Sequence, residues 1–161
     1  MAILIKIRRV RGVNRDLLRR AARAALVAEG LPSAVEVSVL VTDDQEMRQL
    51  NRDYRRLDAT TDVLAFPQQQ CPDEPGPHLL GDIVISAPAA QRQARARHIT
   101  CDREMALLAI HGVLHLAGWR DDTDDERRRM LGRGRDIWRS AAPRGPSGDP
   151  ARRAAQGRGE P

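Results

Sequence analysis

Aromatic side chains are scarce: Tyr54, Phe66, Trp119 and Trp138 are the whole set, 2% of 161 residues. That argues against a protein that grips single-stranded nucleic acid on a row of stacked rings. Lysine is scarcer still. Lys6 is the only one among 27 cationic side chains, and the rest are arginines. The two cysteines, Cys71 and Cys101, are too few for a disulfide framework. They read as free thiols in a reducing cytoplasm. No apolar run approaches the ~20 residues of a membrane span. The opening MAILIKIRR carries its basic residues after a short apolar run, the reverse of a secretory signal.

What is present suits a single soluble domain. The chain is 41% hydrophobic and 30% charged, with a formal net charge of +5. Arginine offers a fork that grips phosphate at two points, so the charge is compatible with a nucleic-acid partner without specifying one. Residues 141–161 hold four arginines against Asp149 and Glu160 and show no apolar periodicity. The expected organisation is a folded domain over 1–140 and a disordered Arg/Pro/Gly-rich tail over 141–161.

Periodicity divides the domain into four strands and about five helices, an α+β pattern. Residues 3–8 alternate as a half-buried strand does. Asn14 caps a helix with an apolar stripe of Leu17, Leu18, Ala21, Ala25 and Leu26, ending at Gly30. Val35, Val37, Val39 and Val41 mark a second strand. Thr42-Asp43-Asp44-Gln45 reads as a capping box for a helix presenting Met47, Leu50 and Tyr54 on one face. Val63–Phe66 is a third strand, 67–80 a proline-rich loop, and Asp82–Ser86 a fourth strand. Ser86 and Pro88 start a helix to about His98. Thr100 caps an apolar helix over 101–117, ended by Gly118. Thr123 and Glu126 form a capping box for a last helix to about Ser140. Gly132 and Gly134 are expected to weaken or bend it, at ~1 kcal/mol each relative to alanine.

The informative stretch is HGVLHLAGWRD, residues 111–121. His111 and His115 are four apart, so both imidazoles lie on one helical face. That spacing lets two nitrogens reach one metal ion. Gly118 allows a left-handed exit from the helix, after which Asp121 can return as a third ligand, with Asp122 its rival. Three protein ligands and one open position describe a catalytic zinc site with water in the open place. The competing reading, two histidines satisfied by backbone carbonyls, leaves polar rings on an otherwise apolar helix. The spacing resembles the metzincin metal helix, H-E-x-x-H-x-x-G-x-x-H. In that family the glutamate is the general base. Here its position is Gly112, which accepts no proton, so a peptidase of that mechanism is disfavoured.

Together with four further segments, this stretch resembles the YbeY endoribonucleases of bacterial ribosomal RNA maturation. The family's H-G-x-L-H-L-x-G-Y-D-H is similar to HGVLHLAGWRD. Its LNxxYR matches Leu50, Asn51, Tyr54 and Arg55, and its TDVLSFP matches Thr61–Pro67. Gly81–Ser86 resembles its GDIvIS strand, and Met130 falls at a family methionine. The resemblance covers about residues 1–140. It implies a small mixed sheet with helices on it, and a metal helix beneath a cleft.

The resemblance also implies a single-strand-specific, metal-dependent endoribonuclease acting at the 16S rRNA 3′ end and in ribosome quality control. It implies one zinc per chain held by His111, His115 and Asp121, with Arg55 in the cleft gripping the scissile phosphate. Arg55, His111 and His115 are then the catalytic set. The attacker is metal-bound water or the RNA 2′-hydroxyl, and the residues do not choose between them. The implied partners are rRNA, the 30S subunit and ribosome-associated accessory proteins, in the cytoplasm.

The departure from the family is Asp121, which stands where its third histidine stands. A carboxylate is an acceptable zinc ligand but also suits harder ions such as Mn²⁺. Asp122 and a metal-free site remain as alternatives. Asp62 and Glu104 are candidates to orient a ligand, and each has a plainer reading, a turn residue and a helix-dipole partner. Arg92, Arg95 and Arg97 are read as solvated or RNA-facing, and His78 and His98 as surface residues. Two other functions stay open: a metallopeptidase, and a non-catalytic assembly factor with a structural metal.

Overall fold

Alternation of valine and isoleucine with polar residues builds the sheet. The computed structural model describes residues 1–68 and 78–142. Its elements run β1 (Ala2–Ile7), α1 (Arg15–Ala28), β2 (Val35–Thr42), α2 (Asp44–Arg55), β3 (Val63–Pro67), β4 (His78–Ser86), α3 (Ala87–Arg97), α4 (Cys101–Leu116) and α5 (Asp124–Ala141). The strand order is β1-β2-β4-β3. β1 and β4 each run parallel to β2, and β3 pairs antiparallel to β4 at the edge. This is the α+β arrangement of a mixed four-stranded sheet with five helices, the metal-site helix among them.

The two faces of the sheet carry different layers. Val35, Val37, Val39, Val41, Ile83 and Ile85 point to one side, into a core shared with α1, α4 and α5. Each such side chain, fully buried, contributes about 1.5–3 kcal/mol. Leu64 and Val84 point to the other side, where Met47 of α2 covers them. Helix α2 is therefore across the sheet from α4. The apolar stripe of α1 is buried as its spacing predicts. So is most of α4, which runs down the middle of the helical layer.

The structure moves several local expectations. Thr42 ends β2, paired with Ser86. The cap of α2 is Asp43, whose carboxylate accepts from the Glu46 amide at 2.9 Å. Thr42 instead donates its hydroxyl to the Glu46 carboxylate. β4 begins at His78, four residues before the expected Asp82, because His78 and Leu79 pair with Val35 and Glu36 ahead of a register shift. His78 is thus half-buried in a strand, while His98 is exposed at the left-handed end of α3. Tyr54 is 70% exposed, with one ring face leaning on Phe66 at 5.2 Å. α5 runs unbroken through Gly132 and Gly134 behind its capping box. Cys101 is a free thiol opening α4. Cys71, the rest of the proline-rich loop (69–77) and the tail from 143 lie outside the described residues. No helix among the described residues is long and apolar enough to cross a membrane.

Candidate metal centre

Helix α4 brings His111 and His115 to one face, and their Nε2 atoms lie 3.1 Å apart. Gly118 follows the helix at φ +97°, a conformation that disfavours a side chain. The turn it makes returns Asp121, whose Oδ2 sits 3.6 Å from each Nε2. Ligand atoms 2.0–2.2 Å from a tetrahedral ion are roughly 3.3–3.6 Å from one another. The two Asp121 separations match such a cage, and the 3.1 Å between the imidazole nitrogens is slightly short of it. This group could hold a metal ion.

The protonation chemistry agrees with that use. His115 Nδ1 lies 3.1 Å from the Trp119 carbonyl. Donating its proton there leaves the Nε2 lone pair bare. Burial and the neighbouring His115 hold the His111 imidazole below its ordinary pKa, while Asp121 and Asp62 pull the other way. The net lowering favours the neutral imidazole, the form a metal requires. Across the 3.1 Å gap one neutral ring can donate an Nε2 proton to the other, and a metal ion would take that proton's place.

Asp122 is not part of the group. It is exposed and takes the Arg120 guanidinium at 2.7 Å. The general-base position of a peptidase is also closed. Gly112 is buried against β4, and a Cβ there would come within 2.6 Å of Ile83 Cγ2. The glycine is a packing requirement, and the position faces the sheet rather than the site.

The other candidates divide. Asp62 lies close enough to act electrostatically on His111. Its carboxylate accepts from Gln93 at 2.8 Å and from the Val63 amide at 2.8 Å. Glu104 does not bond an imidazole. It is 1% exposed and both its oxygens take Arg97 at 3.3 Å. Burial raises its pKa, and Arg97 opposes the rise. Arg92 is committed to Asp44 at 2.8 Å. Arg55 is exposed at the end of α2, with no ion pair among the described residues. Its neighbour Tyr54 leans on Phe66, and Leu116 of α4 lies against Gly81, the partner of Pro67. Tyr54 and Leu116, the chain neighbours of Arg55 and His115, thus lie near the Phe66–Pro67 end of edge strand β3.

A clamp on the site was not visible in local spacing. Glu29, capping the C-terminus of α1, accepts from Trp119 Nε1 at 2.8 Å and from Arg133 Nε of α5 at 2.9 Å. Arg133 also donates to the Ala28 carbonyl at 2.7 Å. Trp119, whose carbonyl orients His115, is thereby tied to two helices. The one local sign is a carboxylate at a helix C-terminus, against the helix dipole, which implies a partner elsewhere.

Comparison with known proteins is consistent with this geometry. The sequence profile of the family described as Endoribonuclease YbeY matches residues 6–142. An Endoribonuclease YbeY of Moorella thermoacetica is 48% identical over 113 residues, covering 66% of this chain and 72% of the relative. One from Aquifex aeolicus is 44% identical over 117 residues, covering 73% and 75%. The solution structure of a Thermotoga maritima protein matches with a TM-score of 0.51 at 25% identity, over 91% of this chain and 99% of that one. By the span of the profile match and the identity of these relatives, the chain belongs to the YbeY endoribonuclease family.

Proposed function

We propose that this chain is a single-strand-specific, metal-dependent endoribonuclease of rRNA maturation, acting near the 16S 3′ end in the cytoplasm with the 30S subunit as its partner. The observation that carries the reading is the convergence of His111, His115 and Asp121 on one point in a chain of this family. Zinc fits two imidazoles and a carboxylate in a tetrahedron, and the carboxylate also suits harder divalent ions. Such an ion would polarise a phosphoryl oxygen and acidify water at neutral pH. The side chains supply placement. The Trp119 carbonyl sets the His115 tautomer, and burial favours the neutral form of His111. Arg55, exposed and without an ion pair among the described residues, takes a phosphate of the strand in its bidentate fork.

Metal content of untagged protein, read by mass spectrometry beside cleavage of a labelled single-stranded RNA, tests this. About one transition-metal ion per chain is expected. His111→Ala, His115→Ala and Asp121→Ala should each lose it along with cleavage, and Asp122→Ala should keep both. Arg55→Ala should keep the metal and lose cleavage at low RNA concentration. Full cleavage by the metal-free variants would overturn the proposal.

A further inference from the structure

A cavity of about 440 Å³ opens beside the metal group, between α4 and α5, and His111 forms part of its wall. On α4 it follows one face, Arg103, Leu107 and His111, at successive four-residue steps. On α5 it is bounded by Leu131, Arg135 and Trp138, among others. Arg103 lies about 12 Å along the helix from His111 at 1.5 Å per residue. The groove is therefore a trough leading away from the metal group, apolar in its middle and cationic along its length. Its volume falls in the range of small-ligand sites.

Three features call for an anionic, flat occupant. Arg103 and Arg135 are exposed and make no ion pair among the described residues, whereas Arg97 and Arg139 on the same rim are held by Glu104 and Asp136. Trp138 is only partly covered by the core. Gly134 sits in the middle of α5 and lines the trough. A Cβ there would meet Ile110 at an ordinary 3.8 Å, so packing does not require glycine, and glycine costs the helix about 1 kcal/mol. What the missing side chain leaves is width. The arginine-rich stretch from 143 onward is of the wrong sign to fill a cationic trough.

We propose that this groove is a nucleotide subsite for the RNA residue next to the scissile phosphate, with Arg103 and Arg135 on its phosphate and Leu107, Leu131 and Trp138 against its base. The assignment rests on the endoribonuclease reading and adds to it where the strand lies on the helical side of the sheet. One ring face here is compatible with the scarcity of aromatics, because a single base is stacked and not a row.

The test is the affinity of metal-loaded protein for a fluorescein-labelled single-stranded RNA oligonucleotide, by anisotropy across a salt series. The Arg103→Ala/Arg135→Ala double variant should bind at least roughly tenfold more weakly, as loss of two charge-assisted phosphate contacts predicts. Its log affinity against log salt should be shallower by about 0.7, the slope of one neutralised phosphate on single strands. Metal content and melting temperature should stay at wild-type values. Gly134→Met should fill the trough and weaken binding with the salt slope unchanged, while Gly134→Ala should bind nearly as wild type. If both the double variant and Gly134→Met, metal-loaded and folded, bind with wild-type affinity and slope, the subsite is refuted. In that case cleavage by the wild type would leave the nuclease reading standing. Weakened binding by the variants, in a wild-type protein that binds but does not cleave, would do the opposite.

Discussion

Removing the Glu29 carboxylate should loosen the metal group from a distance. Glu29 is far from His111 in sequence, yet its two oxygens hold Trp119 and Arg133 at 2.8 and 2.9 Å. Its side chain is 14% exposed and that of Arg133 36%, so neither bond is a free surface pair. Glu29→Ala leaves the indole N–H and the guanidinium without this acceptor. Stranding a buried polar group costs about 1–3 kcal/mol, and partial solvent access puts the sum for both near 2–3 kcal/mol. For a domain of this size that is a melting temperature lower by roughly 6–12 °C. The second effect is specific to the site. With the indole untethered, the Trp119 carbonyl no longer holds the His115 ring at a fixed angle. Outer partners of ligand histidines are worth 10–100-fold in metal affinity. Glu29 acts one bond further out, so a loss of about tenfold is expected. Glu29→Gln keeps one acceptor oxygen and should fall between wild type and alanine in both measurements. The assays are thermal melting of metal-free protein and a competitive chelator titration for zinc affinity. If Glu29→Ala melts lower but binds zinc as tightly as wild type, the clamp braces the fold alone and the positioning argument fails.

Gly112→Ala should lower stability by about 1–3 kcal/mol, because its methyl meets the buried, branched Ile83 side chain at 2.6 Å and overpacked cores cost that much. Alanine's helix preference works the other way, so a melting temperature at or above wild type would show that Ile83 yields freely. Glu104→Gln tests the buried carboxylate. Burial raises the folded-state pKa of Glu104, so its contribution is fully present below its unfolded value of about 4.3 and is lost as pH rises through the higher folded pKa. Glutamine does not ionise, so the variant should gain on wild type as pH increases through that window, measured as the difference in urea midpoints. A difference that moves against the variant with rising pH would mean that Arg97 outweighs burial.

Local physical chemistry made much of this protein legible from its sequence. A period of two in Val35–Val41 and a stripe of Leu17, Leu18, Ala21, Ala25 and Leu26 depend only on which side chains shun water, so strand and helix followed directly. Thr123 and Glu126 bond within one turn, and their capping box formed as read. His111, His115 and Asp121 lie within 11 consecutive residues, close enough for helix pitch and one glycine to bring them together. Other features depended on partners far along the chain. Whether Asp121 or Asp122 turned inward rested on where the Gly118 turn landed and on Arg120 taking Asp122. The start of β4 at His78 needed β2 as its pairing template. Glu104 went to Arg97 across the α3–α4 connection rather than to an imidazole. Glu29 met Trp119 and Arg133 only once α1, α4 and α5 had packed, and the groove exists only between α4 and α5. Nearest-neighbour spacing encodes what a single helix or strand can satisfy by itself. Bonds between elements are chosen by packing, and packing is decided by the whole fold at once.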